Sequence, residues 1–177
     1  FQELSSVLLS IETISIAPGV AAPPDACGLF SDLVGLRNVV GLENLDTSAT
    51  TNLSELFARC PPLREIDPSK LDTSSATDLS DLFRDSLGLL AVSLADLDTS
   101  HVTTMRSMFD GASSLRSLDL SGLDTSHVTD MSYLFDHCRS LEGLDLSSFD
   151  TSSVTTMDYL FGGCLSLTPL AHSRSDP

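Results

Sequence analysis

A short phrase of the sequence recurs at a fixed interval, and this repetition restricts the possible folds more than any other feature. The phrase reads LDTSHVTDMSYLF at residues 123–135, and close variants stand on both sides of it. A unit this short cannot enclose a core of its own, so neighbouring units must stack and share one. The aspartate of the phrase recurs every 26 residues without insertion or deletion, at Asp46, Asp72, Asp98, Asp124 and Asp150.

The apolar residues in the first half of each unit follow the spacing of a helix. Met131, Leu134, Phe135 and Cys138 stand at i, i+3, i+4 and i+7, which places them on one side of a short helix. A threonine before each stripe is placed to cap that helix with its hydroxyl oxygen. These threonines are Thr51, Thr77, Thr103, Thr129 and Thr155. The matching phenylalanines, which we expect in the shared core, are Phe57, Phe83, Phe109, Phe135 and Phe161.

The second half of each unit has a different period. Leu115, Leu118, Leu120 and Leu123 follow the pattern LxxLxLxxL, which is typical of a short strand with alternate side chains turned inward and a bend after it. Each unit therefore combines one predicted strand with one predicted helix.

The full unit, LRSLDLSGLDTSHVTDMSYLFDHCRS, resembles the 26-residue repeat of a BspA-like leucine-rich repeat family of bacterial surface proteins. The resemblance covers roughly residues 25–170. It implies a secreted or surface-displayed binding module, often within a longer protein, with no catalytic residues to transfer. Together, the pattern and the resemblance predict an α/β fold. The predicted fold is a right-handed solenoid of leucine-rich-repeat type, with one short strand and one short helix in each turn.

Three segments are expected along the chain. Residues 1–24 lack the repeated phrase and are predicted to form an N-terminal cap, since the end of a stacked core needs a cover. Residues 25–170 form the repeat array, and we interpret residues 171–177 as a ragged tail where the array is truncated.

The net charge limits the classes of partner. The formal charge is −16, with nine basic and 25 acidic residues, so phosphate groups of nucleic acids and anionic membranes would be repelled. No apolar run approaches the 18 or so residues of a spanning helix, so this segment is not expected to insert into a membrane. A protein partner is the remaining expectation.

The repeated aspartates have two possible roles. Each carboxylate could accept hydrogen bonds from the amides of the following threonine and serine, and so close the bend after the strand. A ladder of carboxylates could instead hold calcium, although the calcium-binding repeats of β-rolls are rich in glycine and this phrase contains none. We favour the structural turn and leave calcium open.

A second group of charged residues lies within the predicted strands, where leucine-rich repeats turn side chains toward a ligand. Its acidic members form one column and its basic members run beside them, so the face mixes both signs. The candidate ligand-facing residues are Arg37, Arg64, Asp67, Arg116, Asp119 and Asp145.

The remaining reactive residues give weaker indications. Cys138 and Cys164 share a column on adjacent turns within possible disulfide reach, and the sequence leaves open whether they are bridged. His101 and His127 stand beside serines and aspartates, but a repeated turn position does not provide the unique buried geometry of a catalytic triad. A two-histidine surface metal site is a minor alternative there, and ice binding by the threonine columns is another.

These observations predict a non-enzymatic protein-binding or adhesion module of an extracellular or cell-surface protein. No catalytic residue, cofactor or metal ligand is assigned. The alternative is a structural spacer that displays another domain.

Overall fold

Short parallel strands mark the places where one repeat lies beside the next. The computed structural model describes residues 10–168 of the chain. Its strands are β1 (Thr13–Ser15), β2 (Val20–Ala21), β3 (Asn38–Val40), β4 (Leu45–Asp46), β5 (Ala91–Ser93) and β6 (Ser117–Asp119). Two 3₁₀ helices span Leu42–Asn44 and Pro68–Lys70. Strand β1 pairs with β3, β2 with β4 and β5 with β6, always in parallel.

Pairing follows the sequence period. Ala91 lies opposite Ser117 and Val92 opposite Leu118, each 26 residues further along the chain. A ladder of single parallel bridges runs from one repeat to the next, through Asp25, Asn52, Asp78, Thr104, Asp130 and Thr156. Successive repeats are therefore stacked in register.

The apolar segment of each repeat is a series of tight turns. Tyr133 and His137 have left-handed backbone angles, with φ of 62° and 56°, and the same positions of other repeats are also left-handed. Such residues interrupt a right-handed helix, whose successive residues all need negative φ. Alternate amides then bond to the following repeat, as from Phe135 to the Leu160 carbonyl at 3.1 Å, while Leu134 closes a turn onto the Met131 carbonyl.

The predicted right-handed α/β solenoid, with a helix and a strand in every turn, is therefore wrong. Within residues 10–168 no α-helix reaches seven residues, strands are at most three residues long and occur only in small parallel pairs, and most of the backbone is turn or coil. The predicted threonine helix caps are wrong for the same reason. Their hydroxyls donate to backbone carbonyls of the preceding repeat instead, as from Thr129 to Thr103 at 3.1 Å.

The prediction that the phenylalanine column lies in the core is confirmed for its inner members. Phe57, Phe83, Phe109 and Phe135 are fully buried. Their rings stack along the repeats with centroids 5.5–6.1 Å apart. Phe161 stacks on Phe135 at 5.6 Å but remains 38% exposed. Buried leucines, methionines and alanines surround this column, so a single core runs through the stack.

The segment predicted as an N-terminal cap contributes β1 and β2, which extend the parallel pairing from residue 13 onward. Residues 1–9 of that segment lie outside the described residues, as does the predicted tail at 171–177.

Candidate functional site

The repeated aspartates lie at turns between repeats. The amide of the serine two positions later donates to each carboxylate at 2.8–3.0 Å. In the first three repeats the hydroxyl of that serine donates as well, at 2.6 Å. Among the described residues, the threonine directly after each aspartate donates no hydrogen bond to that carboxylate. Hydrogen bonding by this serine holds the pKa of the carboxyl below its usual range at Asp46, Asp98, Asp124 and Asp150.

No three of these aspartates come together as potential metal ligands in the described part of the chain. Within residues 10–168, the only group of three potential metal ligands lies elsewhere, so no aspartate of the phrase joins such a group.

The second acidic column lies at another set of turns. Asp67, Asp119 and Asp145 each accept the amide of the serine two positions later, at 2.9–3.1 Å. All three are exposed, and Lys70 approaches Asp67 at 3.3 Å. Ser93 replaces the aspartate in the intervening repeat and accepts from the Ala95 amide at 3.4 Å. The column therefore combines a local turn with a charge that faces solvent.

Open depressions lie on the side of the stack that carries β3, β5 and β6. Asp67 and Asp119 line one of them, together with Lys70, Val92 and Leu118. We call this side the strand face and define it by residues 37–40, 64–67, 90–93, 116–119 and 142–145.

The three arginines of the strand face are exposed. Arg37 and Arg64 line one depression, and Arg116 is exposed on a later repeat. Within the described part of the chain, none of the three forms an ion pair. By contrast, Arg59, Arg84 and Arg106 elsewhere on the protein each lie within 4.0 Å of an aspartate oxygen. These three arginines are therefore held in ion pairs within the protein.

The cysteines are free thiols in this structure. Cys138 donates to the Phe109 carbonyl at 3.2 Å, and Cys164 donates to the Phe135 carbonyl at 2.9 Å. Burial raises the pKa of the Cys60 thiol to about 11, and it raises the pKa of Cys138 further. The buried thiols of Cys60 and Cys138 are therefore inert core groups.

The two histidines of the phrase form hydrogen bonds with their neighbouring serines. His101 lies 3.2 Å from the Ser100 hydroxyl, and His127 lies 3.0 Å from the Ser126 hydroxyl. Both imidazoles are exposed, so the serine, histidine and aspartate of the phrase form a surface turn without a buried catalytic geometry.

Sequence reasoning missed one cluster outside the strand face, formed by Asp110, Asp136 and His137. The sequence does contain a signal for this cluster. Asp110 and Asp136 occupy the same repeat position in consecutive units, 26 residues apart, and a histidine follows the second.

No helix among residues 10–168 is both long and apolar enough to cross a lipid bilayer. Comparison with curated proteins gave no match. A protein family described as "Mycoplasma protein of unknown function, DUF285" matches residues 27–89 and again residues 89–172, so two tandem matches cover most of the chain. The chain therefore belongs to this family, and its tandem matches agree with the repeats seen in sequence and structure.

Proposed function

We propose that this chain is a non-enzymatic protein-binding or adhesion module, and that its strand face contacts the partner. The observation that carries the proposal is the charge on that face. Arg37, Arg64 and Arg116 are exposed without an ion pair in the described residues, beside the exposed carboxylates of Asp67 and Asp119. Unpaired guanidinium groups form directional bonds to partner carboxylates and carbonyls, which is why arginine is frequent at binding hot spots.

The shape of the strand face also supports a macromolecular partner. Its depressions are open and adjoin one another through shared residues, since Asp67 and Lys70 line two of them. A small molecule would remain largely exposed there, because ligand pockets normally enclose most of their ligand. A protein surface can cover several adjoining depressions at once.

The location proposed for the module is the outside of the cell. The repeat resembles that of BspA-like bacterial surface proteins, and the family matches in tandem over residues 27–89 and 89–172. A net charge of −16 is also compatible with a partner that is positively charged overall, because opposite charges accelerate association.

The test compares two variants that remove equal charge. One replaces Arg37, Arg64 and Arg116 with alanine, and the control replaces the ion-paired Arg59, Arg84 and Arg106. Biotinylated protein is applied to an array of purified extracellular matrix and cell-surface proteins, and the Kd of each captured protein is measured by biolayer interferometry. Matching far-ultraviolet circular dichroism verifies that both variants are folded.

We expect the strand-face variant to bind at least about tenfold more weakly, and the control to stay within about twofold, since truncated hot-spot arginines typically cost more than 1 kcal/mol. Capture of no protein, or equal weakening by both variants, would overturn the proposal. Capture of no protein would instead favour the alternative that the array is a spacer displaying another domain.

A further inference from the structure

A pair of stacked carboxylates meets an imidazole outside the strand face. Asp110 and Asp136 occupy equivalent positions in consecutive repeats, and His137 follows directly. The His137 Nδ1 atom lies 3.1 Å from Asp136 Oδ2 and 3.7 Å from Asp110 Oδ1. One oxygen from each carboxylate and this nitrogen all lie within 4.8 Å of one another.

The two carboxylates lack the local bonds that satisfy the other repeated aspartates. Asp124 and Asp130 each accept a serine amide at 2.8–2.9 Å. No backbone amide or hydroxyl within residues 10–168 donates to the Asp136 carboxylate, although its side chain is only 10% exposed. Its Oδ2 atom lies 3.1 Å from His137 Nδ1, which is itself a potential ligand atom. A nine-tenths buried carboxylate is thus directed at the centre of the cluster.

The charges around the cluster do not balance. Asp85 adds a third negative charge beside Asp110 and Asp136, against two cations, Arg84 and Arg139, that line the same depression. The Arg84 Nε atom lies 3.8 Å from Asp110 Oδ2, so the carboxylates still outnumber the cations. Like charges in a partly buried site favour a bound cation, because the cation offsets both repulsion and lost hydration.

Glycine leaves room at this place. A Cβ atom at Gly162 would collide with Asp136 Oδ1, and Gly162 has no positive φ that would explain a glycine on backbone grounds. The glycine therefore serves to admit the carboxylate.

We propose that Asp110, Asp136 and His137 bind a divalent transition-metal ion, best fitted by Zn²⁺, with water in its remaining positions. A tetrahedral ion with bonds of about 2.0–2.2 Å places its ligands about 3.3–3.6 Å apart, close to the two distances from His137. An imidazole with two carboxylates suits Zn²⁺ or Mn²⁺, whereas Ca²⁺ and Mg²⁺ take oxygen ligands. The ion joins two consecutive repeats through their side chains.

The experiment uses the full chain without a histidine tag, freed of metal by EDTA and dialysis. Isothermal titration calorimetry with ZnCl₂ alone measures binding, and CaCl₂ is titrated in parallel. The test variants are His137→Ala, whose side chain is half-exposed, and Asp136→Asn, which keeps the side-chain volume. The matched control is His127→Ala, which removes an exposed imidazole from the turn of the same repeat.

We expect one Zn²⁺ ion per chain, no heat from Ca²⁺ at the same concentrations, and a Kd at least tenfold higher in both test variants. The His127→Ala control should bind like the original chain. Absence of Zn²⁺ binding to the original chain, or equal weakening by His137→Ala and His127→Ala, overturns the proposal. Because His137 is half-exposed, its replacement tests the site even if Asp136→Asn does not fold.

Discussion

Truncation of one phenylalanine in the middle of the stack tests whether the repeats share a single core. Phe109 is fully buried and lies between two rings, with its centroid 5.5 Å from that of Phe83 and 6.1 Å from that of Phe135. Replacing a buried phenylalanine with alanine costs about 3–5 kcal/mol of unfolding free energy. Two aromatic contacts, each about 0.5–1.5 kcal/mol, place Phe109→Ala in the upper half of that range.

The same column provides a matched control. Phe161 stacks on one ring within the described residues and is 38% exposed, so Phe161→Ala should cost about 1–2 kcal/mol. Urea unfolding followed by circular dichroism gives both free energies, and thermal unfolding should show a Tm lower by about 8–20 °C for Phe109→Ala. Equal destabilisation by the two variants would refute the continuous core, because it would mean that inner and outer members of the column are packed alike.

Three further predictions follow from the turns and the core. Serine hydrogen bonds lower the pKa of four phrase aspartates below the unfolded value of about 3.9, so the stability they contribute is complete above about pH 4 and lost as the pH falls through the lower folded pKa. Replacing those four with asparagine should make the urea midpoint less steeply dependent on pH below about 4, and an unchanged dependence would contradict this cause. In native protein, exposed Cys27 should react with DTNB, while buried Cys60 and Cys138 should react only in urea. Reaction of Cys27, Cys60 and Cys138 together in native protein would be evidence against the burial of the last two. Gly122→Ala should destabilise the fold by about 1–3 kcal/mol, because its Cβ would collide with a carbonyl of the preceding repeat, whereas Gly143→Ala meets open space and should be neutral.

The period and the core could be predicted from the sequence because both depend on residue type alone. A phenylalanine that recurs every 26 residues takes the equivalent place in each repeat. Burial of a large ring is favourable in any stacked arrangement. At the phrase aspartates the sequence pointed to turns with threonine and serine amides as donors, and in the structure the serine amide donates.

The helix could not be distinguished from a series of turns. The spacing i, i+3, i+4, i+7 arises in both, since each tight turn also brings the chain back after three or four residues. The deciding feature is the left-handed backbone at Glu55 and Tyr133, with φ of 56° and 62°. Neither is a residue type that marks such a position. Only the second left-handed column carried a sign against a helix, in Gly111 and Gly163.

The cluster of Asp110, Asp136 and His137 was missed for a different reason. Its ligands come from two repeats and occupy positions whose residue type changes from unit to unit, whereas the predicted turns and core lie at positions that keep one residue type. In successive repeats, the position of the two aspartates is occupied by Ala58, Arg84, Asp110 and Asp136. A variable column becomes informative only when the stacking register shows which neighbours share it.

The fold depends on alternate amides of the apolar segment that bond to the next repeat rather than within their own. A long-range HNCO experiment on ¹⁵N- and ¹³C-labelled protein detects the coupling through such a hydrogen bond directly. The structure predicts cross-peaks from the amides of Phe83, Phe109 and Phe135 to the carbonyls of Met108, Leu134 and Leu160, respectively. Cross-peaks from those amides to carbonyls four residues earlier would instead reveal an α-helix and contradict the bonding between repeats.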